Sequence, residues 1–387
     1  MKTIGKAVLA FSAAIALVPL AQGQGQPVGG PPIVPTANDP VTAAEARETA
    51  AEFARMVEEN YVDPAKAQRY AAAVRAAAGR GDYDRAGTVA ALARMLTRDV
   101  LAVAPEGHLR VLPLGAERGP GPRMVMRRMG GPEESVAPLE PGPGKSIEVA
   151  KWLAPGIAYI RFDLFAGEPA SMAAVAKFMR DHGDAETVIF DLRTTRGGTA
   201  GEVEKVLSYL FAQETVAMRA DMREAAFRRL GIGTPPNRRV VASPAGIVTW
   251  DHVVTPDPSE RRLFDAKVLV LTSQATGSAA EHFALALKGT GRATLIGEVT
   301  GGAGNFAFGG PQPLGRKFTA FVPIGRTYEP RTGIGWEGTG VEPNISVPAQ
   351  RALVEALTRS GVAAADAERL SASVQPTNPM QRPRPPV

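Results

Sequence analysis

A serine at the start of a helix is the residue in this sequence best placed for nucleophilic chemistry. Ser278 lies in the run Thr276-Gly277-Ser278-Ala279-Ala280-Glu281, between an apolar strand and a helix. Gly277 permits a sharp turn, and the alanines leave room for a substrate. A helix N-terminus also offers free N–H groups to a developing oxyanion. The same position equally suits an ordinary N-cap serine, with Ser273 and Thr276 as competing caps.

Three further glycine-rich turns could face a ligand. The first, Asp191 to Gly198, follows a predicted buried strand and ends in two glycines. Glycine lets the backbone approach a ligand closely, so the N–H groups of Gly197 and Gly198 could complete an oxyanion hole with that of Ala279. The alternative is a tight turn into a helix. The other two turns span residues 297–305 and 335–344.

The composition excludes several kinds of site. The 387 residues contain no cysteine, which rules out cysteine catalysis and thiolate metal sites. The four histidines, His108, His182, His252 and His282, include no pair spaced for metal binding on one helix face, so we expect no metal or other cofactor. The basic clusters are short and lack interleaved aromatic residues, so we expect no nucleic-acid partner.

The first 23 residues have the pattern of a secretory signal. Lys2 and Lys6 precede an apolar run over residues 8–21, and small residues at 21–23 suit cleavage near residue 23. Cleavage would remove two lysines and no acidic residue, which lowers the formal charge from +5 to +3 (42 basic minus 39 acidic residues). The run is short for a membrane span, so we expect a periplasmic or secreted protein without stable membrane insertion.

The elements before the turns predict a small helical cap domain over residues 41–114. A capping box at Thr42 and Glu45 starts the first helix, Asp63 and Pro64 start the second, and a third carries apolar residues from 89 to 101. An extended segment over 108–113 leaves this bundle. A disordered leader is predicted for residues 24–40. The Gly/Pro-rich loop at 115–145 is too short for an inserted PDZ domain.

From residue 146 to 348 the pattern alternates between strands and helices, which predicts an α/β core domain. Strands are expected at 157–162, 188–192, 268–271 and 293–297, and helices at 172–179, at 203–211 and from residue 278. A hairpin-like region spans 318–324. In the C-terminal helical segment, 349–374, we expect one helix at 349–358. A disordered Pro-rich tail is expected at 375–387.

The four glycine-rich segments, in this order, resemble the family of C-terminal-processing, or tail-specific, serine proteases. That family includes tricorn-type core proteases and interphotoreceptor retinoid-binding protein repeats. The resemblance rests on D-L-R-x-x-x-G-G at 191–198, S-A-A-E at 278–281, G-E-x-T-x-G at 297–302 and E-G-x-G-V-x-P at 337–343. The cap looks like the one that precedes the retinoid-binding-type branch. The resemblance implies a ClpP/crotonase-like core of stacked β-β-α units, with Ser278 as nucleophile.

The resemblance also implies how the serine is activated. The processing proteases carry a lysine where this chain has Ala303, whereas the tricorn-like branch uses an N-terminal histidine and a C-terminal glutamate, here His108 and Glu337. Gly107 stands in place of a relay serine, and Thr195 in place of an asparagine. Histidine titrates in the range that a general base needs.

The other candidates near the serine are given structural roles. His282 is expected to point away from the exposed side of Ser278, while His182 and His252 lie in polar, surface-like segments. Glu281 is interpreted as a structural residue, either a hydrogen-bond partner or a partner of the helix dipole.

The sequence therefore predicts an exported serine-type peptidase that acts on peptides or proteins. The alternative is a weakly active or inactive module that binds hydrophobic ligands or peptides on the same scaffold. A structural envelope protein that uses the loop at 115–144 as a contact leaves the glycine-rich turns unexplained. The oligomeric state does not follow from the sequence.

Overall fold

Three helices form the first part of the chain in the computed structural model, which describes residues 36–115, 146–231, 237–257, 263–307 and 310–381. They are α1 (Ala43–Asn60), α2 (Pro64–Gly79) and α3 (Val89–Val103), with a 3₁₀ turn at Asp82–Arg85. The predicted capping box at Thr42 and Glu45 is confirmed, as is the Asp63 cap of α2. The predicted third helix is also confirmed.

These helices pack on a three-stranded antiparallel sheet. Its strands are β1 (Arg110–Pro113), β11 (Gln312–Leu314) and β12 (Phe318–Phe321), in the order β1-β12-β11. The extended segment expected over 108–113 thus becomes a strand only from Arg110. Leu314 and Phe318 are buried in the same apolar cluster as the helices, so the cap core includes residues far along the chain.

A six-stranded sheet carries the predicted α/β core. Its order is β14 (Ile345–Ser346), β9 (Thr294–Gly297), β8 (Lys267–Thr272), β4 (Thr187–Asp191), β3 (Ile157–Phe162) and β2 (Ile147–Ala154). All neighbours are parallel except the antiparallel pair β2 and β3. The prediction of an α/β core is confirmed.

Helices cover both faces of this sheet. On one face lie α4 (Pro169–Asp181), α5 (Gly201–Leu210) and α7 (Ala279–Gly289), and on the other α8 (Ala352–Arg359) and α9 (Ala364–Ala372). Alternation along β4 sends Phe190 into the first cluster and Ile189 into the second. The expectation of a single helix after residue 347 was wrong, because α9 follows α8 and packs on it.

A second antiparallel sheet, which the sequence did not predict, flanks the core. Its order is β10 (Asn305–Phe306), β13 (Gly325–Tyr328), β5 (Thr215–Arg223), β7 (Ile247–Val254) and β6 (Arg238–Val241), and α6 (Glu224–Leu230) follows β5. The hairpin expected within 318–324 is instead formed by β11 and β12.

Several predictions fall on residues that the structure does not describe. They include the signal segment 1–23, most of the leader and nearly all of the loop at 115–145. Residues 375–381, expected to lack order, hydrogen-bond to the core: Asn378 Nδ2 donates to Asp163 Oδ1 at 2.7 Å. Within the described ranges, every helix falls short of the length and apolar character that crossing a bilayer requires.

Candidate active site

Ser278 occupies a sharp turn between β8 and α7. It is the N-cap residue of α7, with φ of +52°, and among the described residues it is the only one other than glycine with a positive φ. Such a backbone conformation costs free energy in a non-glycine residue and is often found at functional sites. The Ser278 N–H donates to Glu281 Oε2 at 2.8 Å, and the side chain is half-buried.

The first glycine turn packs directly against this serine. A Cβ atom added at Gly197 would lie 2.7 Å from the Gly277 oxygen and 2.7 Å from Ser278 Cβ. The Gly277 N–H donates to the Thr195 oxygen at 3.1 Å. The two turns that we singled out from the sequence therefore lie in contact, and only glycine fits at position 197.

Gly198 presents its own N–H on the open side of this turn. The Phe165 N–H donates to the Gly197 oxygen at 2.9 Å, and the Thr199 N–H donates to the Phe165 oxygen at 2.8 Å. In a parallel bridge of this kind, the N–H of the middle residue points away from the partner strand. Gly198 also lines a cavity of about 330 Å³ together with Ser278 and Ala279.

A fully buried carboxylate ties the serine to the next loop. Glu281 accepts hydrogen bonds from the Ser278 N–H, the Gly302 N–H (2.6 Å), the Ala303 N–H (2.8 Å) and the Thr300 hydroxyl (2.6 Å). Burial raises the pKa of Glu281, and these donors oppose that shift. The interpretation of Glu281 as a structural hydrogen-bond partner is confirmed.

The structure brings His108 and Glu337 together. Glu337 accepts from the N–H groups of Gly107 (2.6 Å), Gly304 (2.7 Å) and Asn305 (2.6 Å). Its carboxylate lies within 4.8 Å of a ring nitrogen of His108. Burial, and then the nearby Glu106 carboxylate, raise the pKa of Glu337 to about 8.

Sequence reasoning missed Glu106, a second carboxylate beside the same imidazole. Its Oε1 accepts from the His108 N–H at 3.1 Å, and its Oε2 accepts from the Tyr61 hydroxyl and from Asn305 Nδ2. The available signal was an acidic residue two positions before the candidate base. Glu106, His108 and Glu337 offer three potential metal-ligand atoms, but all four carboxylate oxygens already accept hydrogen bonds.

Ala303, which stands where the processing proteases carry a lysine, lies next to Gly107 and also to the cavity at Ser278. A Cβ atom at Gly107 would lie 2.7 Å from Ala303 Cα, and Ala303 lines the cavity with Ser278. The His108 ring stacks on Phe321, with ring centroids 5.4 Å apart. His108 is not among the residues that line the cavity, so its pairing with Ser278 stays a prediction.

All three of the other histidines lie elsewhere than we expected. His282 was expected to point away from the exposed side of Ser278, but both residues line the same cavity because residues four apart share a helix face. His252, expected near the surface, is buried and also lines it. His182 is likewise buried, with Nδ1 2.8 Å from the Phe178 oxygen.

The two cavity histidines form a pair. His252 Nδ1 lies 3.1 Å from His282 Nε2. Burial lowers the pKa of His252 to about 4 and that of His282 to about 3. Both rings are therefore neutral near pH 7.

Comparisons with known proteins identify the family and support the fold. The model of peptidase family S41 matches residues 156–347, a range that contains Ser278 and Glu337 but not His108. The structure of a putative peptidase from Parabacteroides merdae ATCC 43184 is 16% identical, with a TM-score of 0.53, and the match covers 82% of this chain and 97% of that one. That likeness supports the fold.

Two other solved structures are less similar. The photosystem II D1 C-terminal processing protease is 20% identical with a TM-score of 0.39, and the match covers 55% of this chain. This chain spans about half of that protein, 48% of its length. A putative S41 protease from Bacteroides fragilis NCTC 9343 is 18% identical with a TM-score of 0.39, over 69% of this chain and 66% of the other. The match to the family model does not favour the alternative of a non-catalytic binding module.

Proposed function

We propose that Ser278 is the nucleophile of an exported enzyme. The premise is that the chain belongs to peptidase family S41 and is a serine-type peptidase. One observation carries this proposal. Ser278 is held with a positive φ at the start of α7, on the wall of a cavity that Gly198 and Ala279 also line. A strained serine between two potential N–H donors and an open cavity is arranged to attack a bound carbonyl.

The proposed reaction begins with transfer of the Ser278 proton to His108 while Oγ attacks the peptide carbonyl carbon. The N–H groups of Ala279 and Gly198 hold the oxyanion, and Gly197 lets the two turns approach each other. When the tetrahedral intermediate collapses, the C–N bond breaks and His108 returns its proton to the leaving amine. Water then attacks the acyl-enzyme by the same route and releases the acid.

The surroundings of His108 support its assignment as the base. A serine hydroxyl is a weak nucleophile near neutral pH and needs an adjacent base. Ala303 cannot act as a base. Glu106 and Glu337 lie beside the imidazole of His108, and in their charged forms they would stabilise the imidazolium that forms when it accepts the proton.

A fluorophosphonate probe tests the nucleophile. We expect the probe to label the wild-type protein, and Ser278→Ala to abolish labelling and lower peptide hydrolysis by on the order of 10⁴-fold or more. Ser243→Ala, at an exposed serine, is the matched control and should keep both. Because the proposal includes export, the labelled protein should be outside the cytoplasm and start near residue 24. Equal labelling of the Ser278→Ala variant would overturn the assignment.

A further inference from the structure

We propose that the cavity beside Ser278 receives the side chain of the residue whose carbonyl is attacked, and that it selects tyrosine. This inference rests on the proposed function, because it takes Ser278 as the attacking group. The cavity lies against Ser278 and Ala279. A substrate whose carbonyl lies at Ser278 must therefore direct the adjacent side chain either into this cavity or away from it.

Most of the cavity wall is apolar and aromatic. The apolar lining residues include Val203, Ala220, Trp250, Phe306, Ala307 and Trp336. The rings of Trp250 and Phe306 lie 6.4 Å apart, at an angle typical of aromatic packing. With a volume of about 330 Å³, the cavity would be left largely unfilled by a small side chain, whereas an aromatic ring would bury the most apolar surface.

The charged residues on the cavity wall balance each other. Glu204 and Arg238 both line it and attract each other electrostatically. The Arg238 guanidinium also stacks on the Trp250 ring, 5.3 Å from its centroid. A charged substrate side chain would lose water without gaining an unopposed counter-charge, which is unfavourable. The cavity is therefore suited to an uncharged side chain.

The histidine pair gives the cavity a polar end. His252 and His282 are joined through Nδ1 of the first and Nε2 of the second, so one proton lies between them. Whichever ring holds that proton, the two outer nitrogens comprise one donor and one acceptor. A hydroxyl group can pair with either of these nitrogens, because it both donates and accepts hydrogen bonds.

The indole of Trp336 adds an unused donor. Trp336 is 3% exposed and lines the cavity, and its Nε1–H is buried without a hydrogen-bond partner among the described residues. Its ring meets that of His282 edge-on, with centroids 6.3 Å apart. Buried donors are nearly always paired, so a ligand acceptor that gains this N–H through a small rotation of the indole would be favoured. A tyrosine hydroxyl meets that need, and phenylalanine does not.

Matched peptides that differ only in the residue before the scissile bond test the inference. We expect kcat/KM for tyrosine to exceed that for phenylalanine by about threefold to tenfold, the range of one or two net hydrogen bonds. Leucine should fall about tenfold below tyrosine, and glutamate and lysine on the order of 100-fold below it.

Variants show whether these residues cause the selectivity. Trp336→Phe removes the indole donor and should lower the tyrosine-to-phenylalanine ratio of kcat/KM, leaving only the part that the histidine pair contributes. Ala220→Leu narrows the cavity and should shift the preference to small residues. This second variant still tests the inference if the first one folds poorly. Val240→Leu, in β6 of the same sheet but 52% exposed and outside the cavity, should leave the ratio unchanged.

Binding to Ser278→Ala separates the two proposals. We expect this variant to bind a tyrosine peptide amide more tightly than the phenylalanine one in calorimetry. If the probe labels Ser278 but hydrolysis and binding favour small or charged residues, the cavity inference is wrong and the nucleophile stands. If labelling fails while tyrosine selectivity in binding persists, the nucleophile assignment is wrong, and only the selection of tyrosine by the cavity stands.

Discussion

Two carboxylates and one imidazole share a small volume at the junction of the cap and the core. Glu337 is held by three backbone N–H groups, which favour its charged form. Burial and the neighbouring Glu106 oppose them, and the pKa of Glu337 is raised to about 8. Glu337 is therefore protonated below pH 8 and charged above it. In its charged form it can stabilise the imidazolium of His108, so the proposed site should work best at mildly alkaline pH.

We expect kcat/KM for peptide hydrolysis to rise as the pH passes through about 8, because Glu337 ionises there. Glu337→Gln removes that charge at every pH. The variant should lose the rise and fall about 10- to 100-fold below the wild type at pH 9. Glu342→Gln, at an exposed carboxylate five residues later, is the control and should keep the wild-type profile. A rise near pH 8 that survives in Glu337→Gln would mean that another group titrates there.

The sequence was informative about residues close together in the chain. Ser278 and Ala279 carry local signals, a glycine turn and a helix start, and the structure places Gly198 on the same cavity. His108 and Glu337 had no such local signal, since they are 229 positions apart in the printed sequence, and only the family resemblance paired them. The roles of Glu106, His252 and His282 depend on tertiary contacts, which local spacing does not encode.

At the scale of elements, the loop after β4 is held by glycine. A Cβ atom at Gly198 would lie 2.1 Å from the Phe165 oxygen, and its φ of +131° is unfavourable for any other residue. Gly231 also has a positive φ, but a Cβ atom there meets nothing within 4 Å. A comparison of the two positions therefore separates the cost of a steric clash with Phe165 from the cost of a positive φ.

We expect Gly198→Ala to destabilise the protein by about 3 kcal/mol or more, and Gly231→Ala by about 1 kcal/mol. Urea unfolding followed by circular dichroism would give both values. Probe labelling of Ser278 should fall in the Gly198 variant even where it is folded, since the turn packs against the nucleophile. Equal losses of stability in the two variants would show that the contact with Phe165 is unimportant.

Elements with strong local periodicity were predicted well, and those that depend on partners were missed. The four inner strands of the central sheet are mostly apolar runs, as expected for strands covered on both faces. By contrast, β5 alternates Met218, Ala220 and Met222 with charged residues, and its neighbours β7 and β13 come from distant parts of the chain. The short helix α9 has only Ala367 and Ser371 buried, which leaves a weak apolar pattern.

At the scale of the whole molecule, the cap and the core are connected by the chain itself and by the site. The cap cluster contains Leu314 and Phe318, which follow the loop that carries Ala303. The segment that leaves the cap donates the Gly107 N–H to Glu337. Loss of the cap would therefore expose the side chains of Leu314 and Phe318 to water. Glu337 would also lose the hydrogen bond from Gly107.

This connection predicts that the cap and the active site unfold together. Leu96 in α3 is fully buried, so Leu96→Ala should cost about 2–5 kcal/mol. Arg94→Ala, at an exposed position on the same helix, should change stability by no more than about 0.5 kcal/mol. In urea, the loss of helical circular dichroism and the loss of probe labelling at Ser278 should coincide in both variants, with the Leu96 variant shifted to lower urea. Labelling that outlasts the first loss of helix would instead mean that the cap opens independently, and that the hydrogen bond from Gly107 is not needed to keep the nucleophile reactive.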